Sequence, residues 1–185
     1  MQQYPLFSYF FLAYAFSWIV FVPYVLGEWG YLKGNYTFFY ILHVFGPAIA
    51  AIAMTSITTG KAGLHELRQR IRQVRASLKW YLFILLGIPA LVMLGIIAQP
   101  GTMASFKGFT PSLLIGYPIS LVVVFFGVGL GEEPGWRGFA LPRMQKQYGS
   151  LWGTLLLGIL WSCWHLPDFL TASKGGGEGT GLVTF

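Results

Sequence analysis

Gly131-Glu132-Glu133-Pro134-Gly135-Trp136-Arg137-Gly138 closes an apolar run that begins near Leu113. Residues 113–130 are long enough to cross a hydrocarbon core of ~30 Å. The run therefore reads as a membrane span that delivers two adjacent carboxylates and a guanidinium to membrane depth or its edge. A carboxylate at the centre of a lipid-embedded helix costs roughly 2.5–3.5 kcal/mol on insertion scales, so a pair there calls for a purpose. Further on, a second apolar run carries Trp161-Ser162-Cys163-Trp164-His165-Leu166-Pro167, bringing an imidazole into the same setting.

Composition supports the membrane reading. The chain is 55% hydrophobic and 10% charged, whereas soluble domains carry about 25% charged residues. The net charge of +6 does not point to nucleic acid, because the basic residues flank apolar spans and have no polar domain to carry them. Cys163 is the single cysteine, which excludes an intrachain disulfide and a Cys-rich zinc site. A small packed residue on a helix is the favoured reading for it, ahead of a nucleophile. The N-terminus lacks the basic n-region and cleavage site of a signal peptide, so it is read as a first span.

The expected fold is all-α: a polytopic transmembrane helix bundle in one domain over residues 1–185. Spans are expected near residues 6–26, 36–59, 80–98, 111–130 and 151–170. Lys61, Arg68, Arg70, Arg72, Arg75 and Lys79 lie between the second and third spans, and Arg137, Arg143 and Lys146 between the fourth and fifth. The remaining connections hold only Lys33, Lys107 and Lys174. The positive-inside rule then places both basic connections and the N-terminus in the cytoplasm. Leu64, Leu67, Ile71, Val74 and Leu78 recur at helical spacing, so residues 64–78 are expected to form an amphipathic helix on the inner leaflet. The closing apolar stretch, residues 181–185, resembles the opening of a sixth span, and a C-terminal part is expected to be missing.

Glu133 and Arg137 stand four apart in the favourable order for a helical ion pair. Glu132 is turned about 100° from Glu133, so one carboxylate can pair with Arg137 while the other faces a cavity as a general base. The alternative is a charged cap at the interface. His165 gains a functional reading from the Glu pair one helix earlier. Asp168 could orient its imidazole, but Pro167 breaks the helix between them, which favours a membrane-end acid. His43 and His65 are assigned to packing and interface. Gly127, Gly129 and Gly131 are expected to admit a close neighbour, another helix before a peptide backbone. No serine-hydrolase, zincin or phosphate-loop signature occurs.

These residues resemble a known family. Glu132-Glu133-Pro134-Gly135-Trp136-Arg137-Gly138 has the form EExxxR, and Trp161 to His165 resembles the second motif, FxxxH, of the CAAX-protease and bacteriocin-processing (CPBP, or Abi) intramembrane proteases. The basic helix before the third span is similar too. The resemblance covers about residues 60–170. It implies that Glu132 activates a water, with Glu133 and Arg137 beside it and His165 nearby. It leaves open a metal-free mechanism or a divalent metal such as zinc, held in that case by Glu132, Glu133 and His165. A later His followed four residues on by Asn or Asp, which the family carries, is absent before Phe185, and residues 1–185 alone are expected to be inactive.

The expected function is thus an intramembrane endopeptidase of a bacterial cytoplasmic membrane, multi-pass, with its N-terminus inside. Its expected partners are membrane lipids and a peptide or protein substrate with a membrane-proximal segment. The alternatives are a non-catalytic immunity or scaffold protein, which the loss of Glu132 would leave intact, and a small transporter whose Glu pair relays protons.

Overall fold

The computed structural model describes residues 4–72, 76–99, 101 and 111–171. The expected sixth-span opening and Val74 lie outside them. Among the described residues every regular element is helical, and the fold is an all-α, multi-pass membrane bundle. In chain order the helices are α1 (Pro5–Glu28), α2 (Thr37–His43), α3 (Gly46–Arg72), α4 (Leu78–Ile97), α5 (Pro111–Val124), α6 (Leu130–Glu133), α7 (Leu141–Tyr148) and α8 (Ser150–Trp164). Wide π-helical turns join α5 to α6 at Phe125–Gly129 and α6 to α7 at Pro134–Ala140, and a 3-10 turn, Leu166–Leu170, follows α8.

Three stretches are long and apolar enough to cross a membrane: Pro5–Glu28, Leu78–Ile97 and Ile115–Tyr148. The pair α2–α3, bent by 42°, makes a fourth if counted as one span. The stretch expected as a fifth span is the 15-residue α8, about 22 Å long at 1.5 Å per residue, with the 3-10 turn beyond it. Pro134 opens the π turn between α6 and α7 with a helical backbone (φ −57°, ψ −34°), at the first-turn position where its missing N–H is tolerated.

The chain forms two compact units, one from Met1–Ile71 with Val122–Phe185 and one from Arg72–Leu121. In the second unit α4 buries none of its residues, and its apolar surface all round suits lipid. The first unit has an aromatic core. Tyr9 stacks on Phe139 at 4.9 Å between ring centroids, Trp136 meets Tyr9 edge-on at 5.7 Å, and Trp164 meets Trp136 at 5.9 Å.

The break between α2 and α3 explains how the Glu pair is seated. Pro47 can neither donate a backbone hydrogen bond nor let the preceding turn continue smoothly. The carbonyl of His43 freed at the break is taken by buried Ser17, whose hydroxyl donates to it at 2.7 Å. The Glu-bearing stretch lies directly against this break. A Cβ on Gly131 would sit 2.9 Å from the Val44 carbonyl oxygen, and one on Gly135 only 2.5 Å from that of Pro47. Of the three glycines expected to admit a neighbour, only Gly131 does so. A Cβ on Gly127 would meet open space, and one on Gly129 only a carbonyl of its own helix.

The expected inner-leaflet helix over residues 64–78 is divided. Gly60 takes a left-handed backbone (φ 61°) that turns the chain, the helix is described as far as Arg72, and an extended Ser77 precedes Leu78, which opens α4. Leu67 is buried, and a Cβ on Gly138 would lie 2.8 Å from its methyl, so Leu67 packs on protein, whereas Ile71 and Leu78 are exposed.

Candidate active site

The two adjacent carboxylates meet different surroundings. Glu132 is buried, 5% exposed, and its Oε2 accepts a hydrogen bond from the Trp161 indole N–H at 2.9 Å. Glu133 is half exposed, and Arg137 donates to its Oε1 at 2.8 Å. Glu133 and Arg137 line a cavity of about 330 Å³ with Arg70, Phe125 and Leu130. The split expected from the helical offset is present, with Glu133 as the member paired to Arg137.

Trp161 joins more of the site than its place as a flanking aromatic implied. Besides holding Glu132, its ring lies under the Arg137 guanidinium at 5.7 Å, and the His165 imidazole meets it edge-on at 5.0 Å between centroids. The contact with His165 follows from sequence spacing, since residues 161 and 165 lie one helical turn apart and share a face, whereas the contact with Arg137 is made by the fold. The hydrogen bond to Glu132 was not legible, because an indole in an apolar run reads as packing.

His165 caps α8, and there the structure corrects two readings. Asp168 is not merely a membrane-end acid: His165 Nδ1 lies 2.9 Å from its Oδ2. Pro167 ends the α-helix but starts a 3-10 turn, closed by the Asp168 amide on the His165 carbonyl at 3.0 Å. Side chains three apart eclipse in a 3-10 turn, so the breaker brings the pair together. His43, assigned to packing, is buried and stacked on Trp164, yet its Nε2 faces Asp168 Oδ1 at 3.7 Å. His65 is exposed and meets Gln69, consistent with an interface role. Cys163 lines an apolar cavity among Phe7, Phe10, Tyr14 and Leu160, with no charged group.

Among the described residues, no three His, Cys, Asp or Glu side chains are gathered to hold a metal ion. Glu132, Glu133 and His165 are thus not gathered around one point in this structure. Glu132 Oε2 is engaged by an indole and His165 Nδ1 by a carboxylate.

Residues 114–183 match the family model of the Rce1-like type II CAAX prenyl endopeptidases. The chain is also 26% identical over 157 residues to CAAX prenyl protease 2 of Methanococcus maripaludis, a match covering 80% of this chain and 58% of the relative. The chain thus spans less than two thirds of that relative's length. No solved structure matches it. The resemblance to the CPBP family drawn from residues 132–138 is borne out by these two matches.

Proposed function

We propose that this relative of the type II CAAX prenyl endopeptidases carries the glutamate side of an intramembrane peptidase site, in which Glu132 activates a water against a peptide bond. The observation that carries the reading is Trp161, one indole in contact with Glu132, Arg137 and His165. A neutral N–H orients the buried Glu132 without cancelling its charge, whereas the charge of Glu133 is matched by Arg137. Glu132 is the carboxylate left to accept a proton.

The water oxygen bonds to the carbonyl carbon as one of its protons passes to Glu132. The C–N bond then breaks, and Glu132 returns that proton to the departing amine. With Nδ1 turned to Asp168, His165 offers Nε2 to the water. Fixed dipoles in a site shielded from bulk water make each of these contacts stronger than in solution.

The relative's printed name supplies the substrate class to try first, a prenylated CAAX peptide. The full chain in nanodiscs should cleave such a peptide, and Glu132→Gln should end cleavage with unchanged thermal unfolding. Undiminished cleavage in that variant would overturn the reading.

Trp161→Phe keeps an aromatic ring and removes the N–H. A hydrogen bond to a charged group contributes about 1.5–3 kcal/mol, so kcat is expected to fall roughly 10- to 100-fold with KM little changed. An unchanged kcat would remove Trp161 from the site.

The N-terminus is proposed to face the cytoplasm. The positive-inside asymmetry supports this, as does the meeting of both basic connections: Arg70, Arg143 and Lys146 line one cavity of about 470 Å³. In a Cys163→Ser background, a cysteine at Arg70 should resist an impermeant external thiol reagent and one at Lys33 should react. The reverse pattern would invert the topology.

A further inference from the structure

We propose that Asp168 is the positioning residue of His165, a carboxylate that fixes which imidazole nitrogen faces the reaction. The inference rests on reading His165 as part of the peptidase site, but its geometry stands apart from the Glu pair.

A carboxylate accepts hydrogen bonds only, so the 2.9 Å contact with His165 requires the proton on Nδ1. Neutral His165 then carries its lone pair on Nε2, the nitrogen with no hydrogen bond among the described residues. That tautomer can accept a hydrogen bond from the water that Glu132 deprotonates, and the carboxylate behind it holds the ring in that orientation. Asp168 touches no reacting atom and acts through the ring.

Among the described residues, His165 is the donor that meets the Asp168 carboxylate at hydrogen-bond distance, 2.9 Å. His43 approaches its other oxygen, but the Nδ1 of His43 is engaged by the Tyr40 carbonyl, so its proton sits on that side. Neutral His43 therefore offers Asp168 only a lone pair, at 3.7 Å, beyond hydrogen-bond reach. Thr171 donates to the Asp168 backbone carbonyl at 2.6 Å.

The turn carrying both residues is clamped by Trp18 of α1 and by Trp29, the residue that follows α1. The Trp18 indole donates to the Trp164 carbonyl at 3.0 Å, and the Trp29 indole to the Leu170 carbonyl at 2.8 Å. These carbonyls at and beyond the end of α8 would otherwise lack partners. The His165–Asp168 pair is thus held as a rigid insert.

The chain has three histidines, His43, His65 and His165, so ¹⁵N-histidine spectra in nanodiscs can be assigned by single substitutions. His165 should show its proton on Nδ1. Asp168→Ala should move it to Nε2 and lower kcat about 100-fold with KM within about twofold, by analogy with the loss of tautomer control in hydrolase triads. Asp168→Asn, whose side-chain NH2 can donate to Nδ1, should also favour the proton on Nε2 and lower kcat at least as far, while leaving the fold intact. A wild-type proton on Nε2, or an Asp168→Ala spectrum identical to wild type, would overturn the proposal. If the wild-type chain cleaves no peptide yet shows the Nδ1 proton lost in Asp168→Ala, the positioning stands and the peptidase reading falls.

Discussion

Glu132→Gln should lower kcat/KM by about 10³-fold, within the 10²–10⁴ range that a positioned acid or base contributes. The substitution preserves volume and an oxygen that can still accept the Trp161 N–H, so the packing around a residue only 5% exposed is kept. What it removes is the anionic oxygen that takes the proton of water. Glu133→Gln should cost much less. Its pair with Arg137 is half exposed on both sides, and exposed pairs contribute about 0.2–1 kcal/mol. Measured side by side on a prenylated peptide, the two variants separate the roles. A large loss in Glu133→Gln with a small one in Glu132→Gln would transfer the base to Glu133, on the wall of the cavity it shares with Arg137.

The parts of this site that sequence made legible are those governed by composition and short-range spacing. The span at Pro5–Glu28 and the Glu133–Arg137 pair follow from length, hydropathy and a four-residue offset. The π turns flanking α6 were not legible, since a run apolar on every side has no periodicity to reveal a change from 3.6 residues per turn. His43 packs on Trp164 as assigned, but its nearness to Asp168 was not legible, because the two are distant in the chain and only the fold joins them. Asp168 itself was discounted through a sound rule applied to the wrong helix type: Pro167 is hostile to an α-helix interior but fits the first turn of a 3-10 segment. Leu64 to Leu78 kept helical spacing across what are two separate helices, because spacing alone cannot register the extended backbone at Ser77 just before Leu78.

Gly135→Val should be the most damaging single change to stability outside the aromatic core. A Cβ at this position would lie 2.5 Å from the Pro47 carbonyl oxygen and 2.6 Å from its carbon. Both are backbone atoms, so no side-chain rotation relieves the clash, and the Glu-bearing stretch must move off the α2–α3 break. Overpacking of this kind costs about 1–3 kcal/mol, and the rigid neighbour argues for the upper end. The displacement would also carry Glu132, three residues earlier, away from Trp161, so cleavage should fall more steeply than the folded fraction. Gly127→Ala is the control in the same helical stretch. Its new Cβ meets open space, and alanine favours a helix over glycine by about 0.8–1.0 kcal/mol, so thermal unfolding in detergent should stay level or rise. Equal unfolding temperatures for Gly135→Val and Gly127→Ala would mean that the Glu pair is not seated on the Pro47 carbonyl.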